Sequence, residues 1–265
     1  MKKDIKDKFP KWCNSNEQFD LCLTNDIDSL LSCAILKEIK GYNINYFYDF
    51  SNLYRIKKTQ NPAIGIDMAL TKGKCWDNHV TLLSNNKSAN INSILGINRN
   101  NYCKKYAMST LLTIMSYYNI PLPPTIEGQM ILLAIDSSYL GHYNNYFKPI
   151  HNKFLRTLEY DELIEILDHH TKDDFIEVIK RYNLDKPIQI KKNKLITKIN
   201  LPELEGFFNV HLSLPNDEFT KIQNYKYCSI NLKENKFKDT ENIFSLALTY
   251  KNKIVLSKGK NVCLF

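Results

Sequence analysis

The chain has 265 residues, room for one large domain or two modest ones, and its 43% hydrophobic and 24% charged content excludes a disordered polymer. Lys plus Arg number 36 against 28 acidic residues, a formal charge of +8 that suits a polyanionic partner such as a nucleic acid or nucleotide. No stretch reaches the ~18 apolar residues of a membrane span, and the N-terminus lacks the apolar core of a signal peptide.

The seven cysteines are an odd number and contain no CxxC pair, so neither a zinc knuckle nor a disulfide framework is expected. Cys22 and Cys33 sit in apolar runs, where a thiol acts as a small core residue. A soluble protein of a reducing cytoplasm is the simplest expectation.

In chain order, residues 19–23 form a short apolar run that reads as a buried strand. Apolar residues at 30, 31, 34, 35 and 39 then have helical spacing, with Asp26 or Asp28 placed to cap the helix and Gly41 to stop it. Residues 44–48 and 63–66 read as further strands, the latter ending at Asp67, and 80–83 as a fourth. A helix is expected over 102–118, followed by the breaker run 121–124. Residues 129–135 are strongly apolar and end at Asp136. The alternation predicts an α/β fold, a largely parallel sheet flanked by helices, over residues 1–150.

After residue 150 the pattern changes to two charged helices over 158–183 with a break near Thr171. Strand-like segments follow at 187–199, 207–214 and 226–232, with a hairpin at 243–256 turning at Lys251 and Asn252. Residues 151–265 read as a smaller α+β domain.

Acidic residues cluster where this fold binds ligands, outside the carboxyl ends of the strands. Asp26, Asp28, Asp67 and Asp136 each follow an apolar run, and Asp77 lies in a nearby polar turn. Converging carboxylates are the oxygen donors that a hard divalent cation wants. A lone Asp-x-Asp such as Asp26 and Asp28 reads as a helix cap or surface pair, and its place between a buried strand and a helix start makes a metal site an equal reading.

The order of the whole set resembles the DHH phosphoesterases. The segment FDLCLTNDIDSLLSCAIL looks like that family's first motif, with Asp26, Asp28 and Ser32 on matching positions. AIGIDMAL, ending at Asp67, resembles the second, and CWDNHVTLLS, with Asp77, Asn78 and His79, resembles the naming Asp-His-His motif. KYAMSTLLTIMSYYNIPLP looks like the helix that follows it, and GQMILLAIDSSYLG, with Asp136, like a last motif in which a strand ends in a metal-binding Asp. Some motifs are incomplete. Thr24 stands at the family's first His, Ser29 at a Gly, and Asn78 at the first His of the naming motif.

The resemblance implies metal ligation by Asp26, Asp28, Asp67, Asn78 and Asp136, Mn²⁺ or Mg²⁺ as the ion, and His79 with Asp77 in a catalytic role. It implies hydrolysis of a short oligonucleotide or nucleotide-like phosphodiester, with single-stranded nucleic acid as a further partner. Removal of a cyclic or linear nucleotide signal is a variant of the same chemistry. Thr24 and Asn78 favour a rival reading: a degenerate member that binds nucleotide, nucleic acid or protein without hydrolysis. FSLALTYKNKIVLSKGKNV resembles the hairpin opening the family's accessory domain, with Ser257 and Lys258 in place of part of its strand motif, but the family's glycine-rich phosphate loop does not follow.

The literal Asp168-His169-His170 lies after the last motif and reads as a helix end whose imidazoles meet the helix dipole. His142 and His151 fall in an aromatic, Asn-rich stretch that could stack bases or serve as a packed connection. His211 reads as a structural strand residue, and Lys191, Lys192 and Lys194 as a solvated strand or turn.

Overall fold

The computed structural model describes residues 1–234, 237, 240–259, 264 and 265. Part of the expected accessory hairpin segment (residues 260–262) and Cys263 lie outside the described residues. The chain opens with a one-turn helix α1 (Lys3–Lys6), then β1 (Asp20–Leu23), α2 (Ile27–Lys40), β2 (Asn43–Tyr48), β3 (Asn52–Arg55), β4 (Ala63–Ile66), β5 (Cys75–Asp77) and β6 (Ser88–Asn90). Helices follow: α3 (Ile91–Ile94), α4 (Thr110–Tyr117), α5 (Ile126–Ala134), α6 (Lys148–Leu158), α7 (Glu162–His169) and α8 (Lys172–Tyr182). Then come β7 (Gln189–Lys191), β8 (Lys194–Ile196), α9 (Leu201–Phe208), β9 (Thr220–Asn224), β10 (Lys226–Asn231), β11 (Ile243–Tyr250) and β12 (Lys253–Lys258).

The fold is α/β. A seven-stranded sheet runs in the order β6-β5-β4-β1-β2-β3-β9. Its strands from β6 to β2 are parallel, and β3 and β9 add on antiparallel. A separate antiparallel sheet, β10-β12-β11, forms near the C-terminus. It is tied to the large sheet where β11 runs beside the loops after β4 and β5: Leu246 N–H donates to the Ala69 carbonyl and Leu248 N–H to the Val80 carbonyl. Among the described residues no helix is long and apolar enough to cross a membrane.

Local chemistry explains the elements that position the site. Asp26 caps α2 by accepting from Ser29 N–H, and Gly41, in the left-handed region, ends it. In β4, a Cβ on Gly65 would lie 2.9 Å from the Met68 sulfur and 3.2 Å from its Cβ, so a larger residue there would press on the Met68 side chain. Thr171 and Asp174 form a reciprocal capping box that starts α8, at the expected break. Lys192 and Asn193 both take positive φ in the β7–β8 turn, so the lysine run is a hairpin tip.

Several expected elements differ. Residues 126–134 form α5, not a strand; the run is apolar on nearly every side, which hides its period, and Thr125 supplies the cap. Residues 80–83 form no strand, and Val80 makes a single bridge to Leu248. The helix expected over 102–118 is shorter, since α4 begins only at Thr110, after the Ser109 cap. Residues 207–214 are not a strand: α9 ends at Phe208, and exposed His211 pairs with Glu205 and Ser213. The aromatic stretch around His151 enters a helix, α6, where Ile150, Phe154, Leu155 and Leu158 share a face.

The boundary expected at residue 150 falls inside α6. One cluster of buried side chains runs from Met1 to Phe219 and joins α6, α7 and α8 to the helices and strands before them. Within it, Trp76 of β5 is fully buried and rings by Phe9, Trp12, Tyr117 and Tyr118 stand 5.3–5.9 Å away. Trp76→Ala should therefore cost ~3–5 kcal/mol by urea unfolding. A loss below about 1 kcal/mol would mean that this aromatic nest is not a tight part of the core.

Candidate metal centre

The parallel strands end on one edge, and the chain leaves β1 in opposite directions to β2 and β4. Between β1 and β4 lies the crevice where such sheets receive ligands. Asp26 and Asp28 follow β1, Asp67 follows β4, and Asp77 closes β5.

Asp67, Asp77 and His79 each present a ligand atom there, all within 4.8 Å of one another. This set could hold a metal ion. Asp77, expected in a polar turn and in a catalytic role, instead closes β5 and joins the candidate ligand set. Asp67 is held by the Thr110 hydroxyl at 2.7 Å and sits on left-handed backbone (φ 56°). Asp136 and Ser137 are also left-handed (φ 52° each), at the break after α5. Such backbone costs an L-residue of order 1–2 kcal/mol, and here it aims two carboxylates.

The other acids have structural partners as well. Asp28 is buried, and its two oxygens accept Thr110 N–H and Leu111 N–H, each at 2.8 Å, so it rests on the N-terminus of α4. Asp26 spends an oxygen on its cap, 3.0 Å from Ser29 N. Exposed Asp136 accepts from the Asn78 amide at 3.1 Å. Asn78, expected as a ligand through its side-chain oxygen, donates its amide nitrogen to Met108 O and Asp136. Thr24 is fully buried behind the strand ends, where its hydroxyl faces Ile66 O at 3.4 Å and its N–H donates to Ser29 Oγ.

Asp28, Asp67 and Asp77 are buried, and among the described residues the only ion-pair partner of the five acids is His79, 2.8 Å from Asp77. Burial, then the charges of Asp67, Asp136 and Asp26, push the Asp28 carboxyl well up. Burial and Asp26 do the same to Asp67. Burial lifts Asp26 to about 6 against the pull of its cap. Although the residue is exposed on the cleft, desolvation by its packed neighbours raises Asp136, while His79, Asn78 and Lys105 pull it back. Burial opposes the His79 imidazolium, but Asp77, Asp67 and Asp136 outweigh it and push the ring up to about 10. A site with more negative charge than its surroundings can pair is the setting a divalent cation relieves.

A cleft of about 1520 Å³ opens beside His79, Asn78 and Asp136 and runs under the β10 strand and the β11–β12 turn. Lys105, Lys172, Lys233, Lys251 and Lys253 line it, with Tyr102, Phe147 and Tyr250 among them. The literal Asp-His-His lies elsewhere in its bonding: Asp168 pairs with Lys148 and His142, and His169 and His170 bond the Glu165 and Ile166 carbonyls one turn back. His151 is buried, its Nε2 donates to Ser138 O, and burial lowers its pKa. Sequence reasoning missed Thr110, Lys105, Asn90 and Asn92 at this site, since isolated polar residues carry no motif. No protein-family model, curated protein or solved structure matches the chain.

Two of the raised groups, Asp26 and His79, hold protons in the folded chain that the unfolded chain releases: Asp26 between its ordinary 3.8 and about 6, His79 between 6.5 and about 10. The site's contribution to stability therefore falls as pH rises through both windows in metal-free protein. Mn²⁺ competes with those protons and should raise the melting temperature more at pH 8 than at pH 5. A scanning-fluorimetry gain that is equal or larger at pH 5 would contradict this charge balance.

Proposed function

We propose that this chain is a metal-dependent phosphoesterase of the DHH type, acting on short oligonucleotides or nucleotide-like phosphodiesters. The observation that supports it most is the crowd of carboxylates, Asp67 and Asp77 with His79 among them, at the crevice between β1 and β4 and beside a lysine-lined cleft. Asp67, Asp77 and His79, with Asp26, Asp28 and Asp136 around them, are the residues that would hold Mn²⁺ or Mg²⁺. Bound there, the cation supplies Lewis acidity toward a phosphoryl oxygen. The fit rests on the donor set, which is oxygen-rich, anionic and short of counter-charge.

The chain's own groups do the rest. His79 is about a third exposed on the cleft side; in metal-free protein its carboxylate neighbours keep the ring protonated, and it gives up that proton to serve as a ligand when a cation binds. Lysines at 105, 172, 251 and 253 attract the phosphate chain. Exposed Tyr250 and Phe147 offer ring faces to bases.

A second reading, binding without hydrolysis, is favoured by Thr24 and Asn78. Each stands where the DHH pattern has a histidine ligand, and each is engaged in hydrogen bonds of the fold. Asp67→Ala should abolish Mn²⁺-dependent turnover of a dinucleotide. Its metal-free melting temperature should hold or rise, because one charge leaves a crowded site. Turnover that survives this substitution would move the chemistry elsewhere on the chain. Wild-type protein that binds oligonucleotides or cyclic dinucleotides but turns none over would decide for the second reading.

A further inference from the structure

We propose that Asn90 is a positioning residue that locks Asp77 and His79 into one geometry and turns the free edge of the His79 ring to the cleft. The proposal deepens the metal-centre reading and rests on it.

Asn90 ends β6 and is 1% exposed. Its Oδ1 accepts Asn92 N–H at 2.9 Å and Ser93 N–H at 3.2 Å, which caps α3. That contact orients the amide: the end facing the opposite way must be nitrogen. The two N–H bonds of this nitrogen go to Asp77 Oδ2 and to the His79 carbonyl, both at 2.7 Å. β5 and β6 are parallel with Asp77 directly beside Asn90, so the strand register delivers the amide to this place.

One side chain thus ties the carboxylate of residue 77 to the backbone of residue 79. Asp77 Oδ1 is left to meet His79 Nδ1 at 2.8 Å. With Nδ1 occupied, Nε2 is the nitrogen that remains for a cation or a phosphate in the cleft that His79 lines. The residue between them is held by the next asparagine. Asn92, fully buried, donates to the Asn78 carbonyl at 2.7 Å and exchanges bonds with the Tyr106 backbone. A helix cap needs only the oxygen of Asn90, and serine caps as well. The two N–H bonds to the site are beyond what capping requires.

Asn90→Ser separates the two roles, because it keeps the cap and removes both donors. Asn90→Asp also keeps the cap and sets an acceptor against Asp77. Three readouts apply: Mn²⁺ affinity by calorimetry, the low-field Nδ1 proton of His79 in metal-free protein by NMR, and a double-mutant cycle with His79→Ala. Both variants should bind Mn²⁺ ~10–100-fold more weakly, the usual loss when a ligand's hydrogen-bond partner is removed. The Nδ1 proton should be lost, and Asn90→Ser should add nothing to the loss already caused by His79→Ala. Unchanged affinity, a retained proton or additive losses would reduce Asn90 to a helix cap and overturn the proposal. Wild-type protein that binds no Mn²⁺ would sink the metal reading itself. The His79 proton would then decide alone: its persistence in Asn90→Ser overturns the positioning role, and its loss upholds it.

Discussion

Carboxylates crowded at the end of a parallel sheet repel one another, and much of the surrounding structure answers that repulsion. Asp28 is buried against the backbone N–H groups at the start of α4, Asp67 against the Thr110 hydroxyl, and Asp77 between His79 and Asn90. Hydrogen-bond donors of this kind favour the charged form but do not neutralise it. The imidazole of His79 is one potential positive charge against five acids. A cation entering such a cluster would relieve this repulsion, which is why the cluster could hold a metal ion.

The same constraint explains why the helices start where they do. α4 begins at Thr110 because Ser109 caps it and Asp28 takes its first N–H groups. The acid thereby joins α2 to α4 beneath the site. α5 ends in a left-handed pair at Asp136 and Ser137, which turns Asp136 toward Asn78. The small C-terminal sheet then forms a wall of the cleft, held by backbone bonds from β11 to the loops after β4 and β5. The wall of the cleft and the candidate ligands therefore share the same loops.

Part of this was legible in the sequence. The strand–helix alternation of the first 67 residues has clean periods and strong caps, so β1, α2, β2 and β4 fall close to expectation. Asp26, Asp28, Asp67 and Asp136 were visible because each follows an apolar run; Asp77 was read in a polar turn and instead closes β5. α5 was not, since a helix buried on nearly all sides shows no amphipathic period. β3 and β9 were missed for a different reason: they pair only with each other and with β2, a long-range match between residues 52–55 and 220–224 that no local pattern encodes. The asparagines at 90 and 92 sat unnoticed in an Asn-rich composition. Their roles come from register across β5 and β6, not from residue type.

The central claim is that Asp67, Asp77 and His79 form the heart of a divalent metal site. The most direct measurement is crystallographic: a Mn²⁺-soaked crystal with data collected for the anomalous signal of manganese. An anomalous peak within ~2.0–2.6 Å of an oxygen of Asp67, with Asp77 or His79 as a second ligand, is the result expected of a hard cation on these donors. A peak elsewhere on the chain, or a cluster that stays free of manganese at saturating metal, would contradict the account.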